Sequence, residues 1–278
     1  MFDPIGMMMG FDYRNQKERD RDDRLDAYKD AASAAEAVPW DPNMKFQPAL
    51  KIQASTYRQP SLFDVPVCEA SEKNPNRVWD RNPEKFAVSP CGKWRYRERI
   101  LPADQPLETK VGNRTGIVTF DGDVKIPMLN YRYDGGQIWH QDPIMSFTPM
   151  EFFALRVGVK RARGHVVVAG LGMGWQLQQV CKKRTVQRVT LVEKYQGIVD
   201  WIMPRLDLNG RDVEVLVGDA CDIVPTLTAD VALIDILTSY GGNRGSWERG
   251  VHQRRRRAQR EGIELQRGKI GDMWFWGA

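Results

Sequence analysis

The sequence predicts an α/β fold whose C-terminal half is a doubly wound parallel sheet, and three observations predict it. Four short β-branched runs occur there: Val166 to Ala169, Val189 to Val192, Val213 to Val217 and Val231 to Ile234. They are nearly continuous in apolar residues, as strands covered on both faces must be, and each ends in glycine or an acid. Helical patterns separate them. Leu177, Val180 and Cys181 mark the inner face of the first crossover, and Ile198, Trp201, Ile202 and Leu206 that of the second.

The elements ahead of the sheet follow in order. Residues 13 to 36 mix charges of both signs and then turn alanine-rich, which fits a solvated helix or an extended arm. From Val38 to about Pro106 prolines recur without a sustained period of 2 or 3.6, so irregular structure draped on a neighbour is expected. The runs Gly116 to Phe120 and Val124 to Leu129 flank Asp121-Gly122-Asp123 and read as a β-hairpin, because Asp-Gly supplies the positive φ of a tight turn. A second turn is expected at Asp134-Gly135-Gly136. Thr148-Pro149-Met150-Glu151 then starts a helix, with Thr as N-cap, Pro at the first helical position and Glu three residues after the cap. The expected organisation is a helical or irregular extension over 1–110, a small β-hairpin region over 111–147, and a nucleotide-binding α/β domain over 148–278.

Composition narrows the function classes. The chain has 278 residues, 42% of them hydrophobic, enough for one large folded core. No uncharged apolar run approaches the roughly 18 residues of a membrane span, and no basic residue precedes the apolar start, so a soluble, cytoplasmic chain is expected. The four cysteines, Cys68, Cys91, Cys181 and Cys221, lie far apart, and neither a metal site nor a disulfide framework is expected. The net charge of +5 is concentrated: between Arg244 and Lys269 nine Lys/Arg face three Glu. Within that stretch, Arg254, Arg255, Arg256 and Arg257 form a candidate nucleic-acid contact or a solvated helix face.

Ligands of such sheets bind beyond the carboxyl ends of the strands, so the residues after each run are the candidates. After the first run comes Gly170-Leu171-Gly172-Met173-Gly174, glycines that let the backbone turn sharply and approach a ligand. A dinucleotide fingerprint requires glycine at position 175, where this chain has Trp175, which argues against a nicotinamide enzyme. Glu193 ends the second run, placed to accept hydrogen bonds from ribose hydroxyls, and Gly218-Asp219-Ala220 follows the third, where the acid can accept from an exocyclic amine. Asp235 ends the fourth, ahead of Tyr240 and Gly241-Gly242. Each has a bland counterpart: a bare strand-to-helix turn, surface carboxylates at strand tips, and a cap or pocket-shaping role for Asp235.

Taken together, this set resembles the class I S-adenosylmethionine-dependent methyltransferase superfamily, with its Rossmann-like fold, over about residues 148 to 278. The resemblance assigns Gly170, Gly172 and Gly174 to the methionine end of S-adenosylmethionine, Glu193 to the ribose, and Asp219 with Ala220 to the adenine. Val168 stands where many members carry an acid, as in spermidine synthases, which also place a small β region before the nucleotide fold. Two departures from the synthases favour methyl transfer over aminopropyl transfer. Thr238 replaces the second acid of their D-x-x-D pair, and the tyrosine-histidine-glutamate cluster is absent between Tyr131 and Glu151.

The acceptor is not legible. Asp235-Ile236-Leu237-Thr238 lacks the [DN]-P-P-[YFW] loop of amino-group methylases, and the only Pro-Cys, Pro90-Cys91, lies well before the glycine loop. Asp235 and Tyr240 are the candidates for orienting the acceptor. Near the end, Gly262 to Gln266 and Met273 to Gly277 read as short strands, which leaves the sheet truncated at one edge relative to the superfamily. The alternatives are a non-catalytic nucleotide-binding or scaffold protein that retains the pocket and, behind it, an aminopropyl transferase; a homo-oligomer is left open. Replacing Arg254 to Arg257 by Gln is expected to leave cofactor binding intact and to flatten the salt dependence of nucleic-acid binding in a filter or anisotropy assay. If the unmodified chain binds no nucleic acid at low salt, the arginine run is a solvated face.

Overall fold

The computed structural model describes residues 16–59, 61–66, 86–111, 114–132, 143–236 and 269–276. The second turn at Asp134, Tyr240, the run Arg254 to Arg257 and the strand expected over Gly262 to Gln266 lie outside them.

Five parallel strands form the main sheet: β8 (Gly164–Ala169), β9 (Val186–Glu193), β10 (Val213–Val217), β11 (Thr228–Ile234) and β12 (Lys269–Phe275). Their spatial order is β10-β9-β8-β11-β12, so the order reverses at β8. The first four are the expected runs, lengthened by two residues at the start of β8, by three at the start of β9 and of β11, and by Glu193 at the end of β9. The fifth contains the expected Met273 strand and pairs with β11 from Thr228↔Lys269 to Ile234↔Phe275. Pleating sends alternate residues to opposite faces. Val166, Val168, Leu233 and Trp274 pack into one core, and Val167, Ala169, Ala232, Ile234 and Phe275 into the other.

Three helices contribute to the first core: α2 (Pro149–Arg161), α3 (Trp175–Cys181) and α4 (Gln196–Ile202), after α1 (Gln16–Ala34) near the N-terminus. A short α5 (Ala220–Ile223) contributes Ala220 and Cys221 to the second. The start of α2 is where the sequence places it, with Pro149 at its first turn, but its expected capping does not form. The Thr148 side chain makes no cap bond, and Glu151 is turned inward, 7% exposed. No described helix is long and apolar enough to cross a membrane.

The region ahead of the sheet differs from the expectation in two respects. First, Gly116–Phe120 and Val124–Leu129 do not form a hairpin. They lie in β5 (Arg114–Phe120) and β6 (Val124–Tyr131), which belong to different sheets. The first sheet has the order β1-β5-β4, with β1 (Ala49–Ile52) and β4 (Leu107–Val111). The second has the order β2-β3-β6-β7, with β2 (Ala87–Val88), β3 (Trp94–Leu101) and β7 (Met145–Ser146). Asp121 and Asp123 therefore tie down neighbouring segments: their carboxylates accept from the Ala54 and Ala103 N–H groups at 2.7 and 2.9 Å.

Second, the stretch expected to be irregular contains β3, paired antiparallel with β6 over eight residues. Trp94-Arg95-Tyr96-Arg97-Glu98-Arg99-Ile100-Leu101 does alternate with a period of 2, but arginine fills the second set of positions. Arg95 and Arg97 are nonetheless buried, at 1% and 3% exposure. Trp94, Tyr96, Phe120, Ile126 and Leu129 join the same continuous core as Val166 and Leu233, so both small sheets are built onto the main one.

Helix α2 lies close to β12 because residue 158 is glycine. A Cβ there would sit 2.6 Å from Trp274 Cε3 and 2.7 Å from Cδ2, ring atoms that cannot fold away. Alanine gains about 1 kcal/mol in helix propensity, whereas overpacking a core costs about 1–3 kcal/mol. Gly158→Ala is therefore expected to lower the thermal unfolding midpoint, and an unchanged or higher midpoint would refute this packing argument.

Candidate active site

The carboxyl ends of β8, β9 and β11 close on one point, Gly170. Its N–H donates to Val192 O at 2.9 Å, and the Asp235 N–H donates to Ala169 O at 2.8 Å. Gly170 has φ 97°, and a Cβ there would fall on the Asp235 carbonyl oxygen. An L side chain is excluded twice, by conformation and by space. Beyond these tips lies a cavity of about 530 Å³ lined by Gly170, Gly172, Glu193, Asp219, Ala220 and Asp235 among others. Gly174 is not in that lining. It is the N-cap of α3, packed against Leu206.

Glu193 is 8% exposed and stitches the loop to its own strand tip. Oε2 accepts from the Leu171 N–H at 2.8 Å and Oε1 from the Tyr195 N–H at 3.1 Å. Burial raises its pKa, and these backbone donors pull it part of the way back. The Lys194 N–H acts on Glu193 as well, so of the about four lone-pair positions of a carboxylate about one remains for a ligand. Asp219 has one oxygen on the Cys221 N–H at 2.9 Å, capping α5, and the other 3.3 Å from Lys194 Nζ. Over Gly172 sits Met145, whose sulfur accepts from the Met173 N–H at 3.1 Å.

Together with Asp235, which the sequence reading placed in the site, the cavity holds Glu151, Gln176 and Trp276, which it did not. Burial raises the Asp235 carboxyl to about 7. Glu151, from the first turn of α2, is raised to about 8 by burial and by the charge of Asp235, while the Trp276 indole N–H, donating to Oε2 at 3.1 Å, lowers it. Gln176, in α3, is 6% exposed, and neither amide atom has a hydrogen-bond partner among the described residues. All four line the same cavity. Glu151 reads from sequence as a capping residue, Trp276 as core, and Gln176 as an ordinary residue of a first helical turn. No local signal marks Gln176, since Gln178 and Gln179 lie on the same short helix.

The opposite lining comes from the small sheets and the β9 tip: Lys93, Trp94, Tyr131 and Arg132, with Lys194 and Tyr195. The Trp94 ring lies 5.8 Å from Tyr131 and 5.3 Å from Tyr195. Among the described residues no cluster of three or more His, Cys, Asp or Glu is arranged to hold a metal ion.

The acid pair fixes a pH dependence. In the folded chain Glu151 and Asp235 keep protons up to about 8 and 7, while the unfolded values are 4.5 and 3.8. Between these limits the folded chain binds more protons, so stability falls as pH rises, and it levels above the folded values. Asp207 and Glu214, whose pKa values are lowered, act only at more acidic pH. The unfolding midpoint is expected to drop from about pH 6 to about pH 8.5, and Glu151→Gln to flatten that slope. A midpoint that rises across the window would contradict the assignment of buried, uncompensated acids.

No family model and no curated sequence matches the chain. Among solved structures it is similar to wild-type Trm5b from Pyrococcus abyssi, at 13% identity and a TM-score of 0.32, over 71% of this chain and 64% of that one. It is also similar to MnmC2 from Aquifex aeolicus, at 18% identity and a TM-score of 0.25, over 49% of this chain and 51% of that one. The chain thus spans less than two thirds of either protein. Likenesses this slight carry no functional argument, and the case for the cavity rests on its geometry.

Proposed function

We propose that the chain is an S-adenosylmethionine-dependent methyltransferase that binds its cofactor across the tips of β8, β9 and β10 and its acceptor beside Asp235. The observation that carries this reading is the convergence of Gly170, Gly172, Glu193, Asp219, Ala220 and Asp235 on one cavity at the point where the strand order reverses. The residues fit the group. The cavity lies within the roughly 300–1,000 Å³ usual for such ligands, the loop presents bare backbone, and Glu193 keeps an acceptor position for a ribose hydroxyl. In this reading residues 148–278 form the cofactor-binding unit, and the strands before them cover the cavity.

The cofactor, when bound, supplies a methyl group on a sulfonium sulfur, so that transfer is downhill and needs chiefly alignment. The chain's own work is positional. The glycine loop lies along the amino-acid end, Glu193 orients the ribose, and Asp219 with Ala220 brackets the base. Asp235, with Tyr240, orients the acceptor and receives its proton where it carries one. Trp94 and Tyr195 exclude water from the open side. Thr238, in place of a second D-x-x-D acid, is the reason to prefer methyl over aminopropyl transfer. One observation favours the alternative of a non-catalytic nucleotide binder: Met145 already occupies an N–H of the glycine loop.

Titration calorimetry of the chain with S-adenosylmethionine, S-adenosylhomocysteine and NAD tests this reading. Binding of the first two and not of NAD is expected, and Glu193→Ala should weaken both by about tenfold or more through loss of a buried acceptor. Unchanged affinity in that variant would sink the ribose assignment. Absence of binding by the unmodified chain would sink the cofactor itself.

A further inference from the structure

The closed end of the cavity is an unbalanced place. Two carboxyls, Glu151 and Asp235, face it from α2 and from the tip of β11, and Gln176 faces it from α3. Glu151 has one donor, the Trp276 indole, and Gln176 has none. The cavity also contains Lys93, Arg132 and Lys194, yet among the described residues no cation acts on either carboxyl. The only charge felt by Glu151 there is that of Asp235. A buried acid and a half-buried one, neither facing a cation, in one cavity with a buried amide that bonds nothing, are costly unless a ligand completes them.

We infer that Glu151, Gln176 and Asp235 form a subsite for an ammonium group. The donor and acceptor count fits this ligand. An ammonium offers three N–H donors and no acceptor, and the three side chains offer an acceptor oxygen from each of two carboxyls and one amide oxygen. Too few acidic or histidine ligands gather there to hold a metal ion. An anionic group would be repelled by either acid once that acid ionises. The ligand arrives as a cation, one of the two carboxyls gives up the proton that burial keeps on it, and that proton leaves to solvent, so the occupied subsite holds one ammonium, one carboxylate and one neutral carboxyl. The ammonium has two sources, the amino-acid end of the cofactor or an amine acceptor, and the inference rests on the cofactor reading above only for the first.

Calorimetry on the full chain at about pH 7, in buffers of different ionisation enthalpy, separates the cases. Three probes are used: S-adenosylhomocysteine, which carries the ammonium; 5′-methylthioadenosine, which lacks it; and putrescine, titrated into the free chain and into the S-adenosylhomocysteine complex. The expected result is proton release on binding of an ammonium-bearing probe. Glu151→Gln and Asp235→Asn should each cut that binding by about tenfold or more and suppress the release. Gln176→Leu, which leaves the charges alone, should weaken it by a smaller factor.

Loss confined to S-adenosylhomocysteine, with methylthioadenosine unchanged, assigns the subsite to the cofactor's amino-acid end. Nucleoside binding unaffected by the variants, with putrescine bound by the unmodified complex and not by the variants, assigns it to an acceptor amine. If the unmodified chain binds neither nucleoside, the methyltransferase reading fails, and the subsite is then decided by putrescine and its proton release alone. Thermal unfolding of each variant checks that it is folded. Variants that are folded and match the unmodified chain with all three probes, or binding without proton release, overturn the subsite.

Discussion

The cavity depends on a missing side chain. Three strand tips meet at Gly170, whose N–H reaches β9 while the carbonyl of the preceding residue receives the N–H of Asp235. A Cβ at that point would collide with the Asp235 carbonyl, so the tips of β8 and β11 could not close together. Their closure aims the glycine loop outward and holds Asp235 beside it. The reversal of strand order at β8 leaves a crevice there in any such sheet, and Gly170 determines how near the two halves of the crevice approach.

Within the cavity, acids of similar burial are held in different ways. Glu193 and Glu151 are 8% and 7% exposed, yet Glu193 is held by the backbone N–H groups of Leu171, Tyr195 and Lys194 and Glu151 by a single indole N–H. Backbone donors stabilise the ionised form, so Glu193 serves as a structural strap in the cavity wall. Glu151 and Asp235 have desolvation and mutual repulsion without comparable compensation. A low-dielectric site raises the cost of leaving them unpaired and, equally, the gain from a cation that pairs with them. The same chemistry therefore separates a part that builds the pocket from a part that waits for a ligand.

What the sequence revealed follows from what periodicity measures. Strands buried on both faces show as apolar runs whatever their neighbours, so β8, β9 and β11 were legible, as was Glu193 at a tip; β10, at the end of the strand order, shows the same β-branched run without a buried residue. Partner choice is not local. The runs around Asp121-Gly122-Asp123 resemble a hairpin, but each pairs elsewhere, β5 with β4 and β1, and β6 with the long β3. The arginines of β3 hid a period-2 pattern because arginine is rarely so buried. Glu151 was legible as a helix start yet not as a pocket acid, since a capping box and an inward-turned carboxyl share one sequence pattern. Gln176 could not be distinguished from any polar residue of a first turn until the strand tips around it were placed.

Helix α2 explains how a carboxyl can be held buried without a cation. Arg156 on this helix reaches the carbonyls of Pro42 and Met44 in the N-terminal segment. At its C-terminal end the Lys183 ammonium bonds to the carbonyls of Val159 and Lys160 at 2.7 and 3.0 Å, satisfying groups that a helix end leaves open. Gly158 seats its middle against Trp274 of β12, and two residues past Trp274 lies Trp276, the residue that bonds Glu151. Glu151 is thus carried on an element gripped at several points along its length, and it cannot relieve its burial by a local shift toward water. A carboxyl on a loose loop would swing out to solvent. One on a helix fixed in this way must stay protonated or wait for a cation, and this rigidity is what turns an unfavourable burial into a potential binding site.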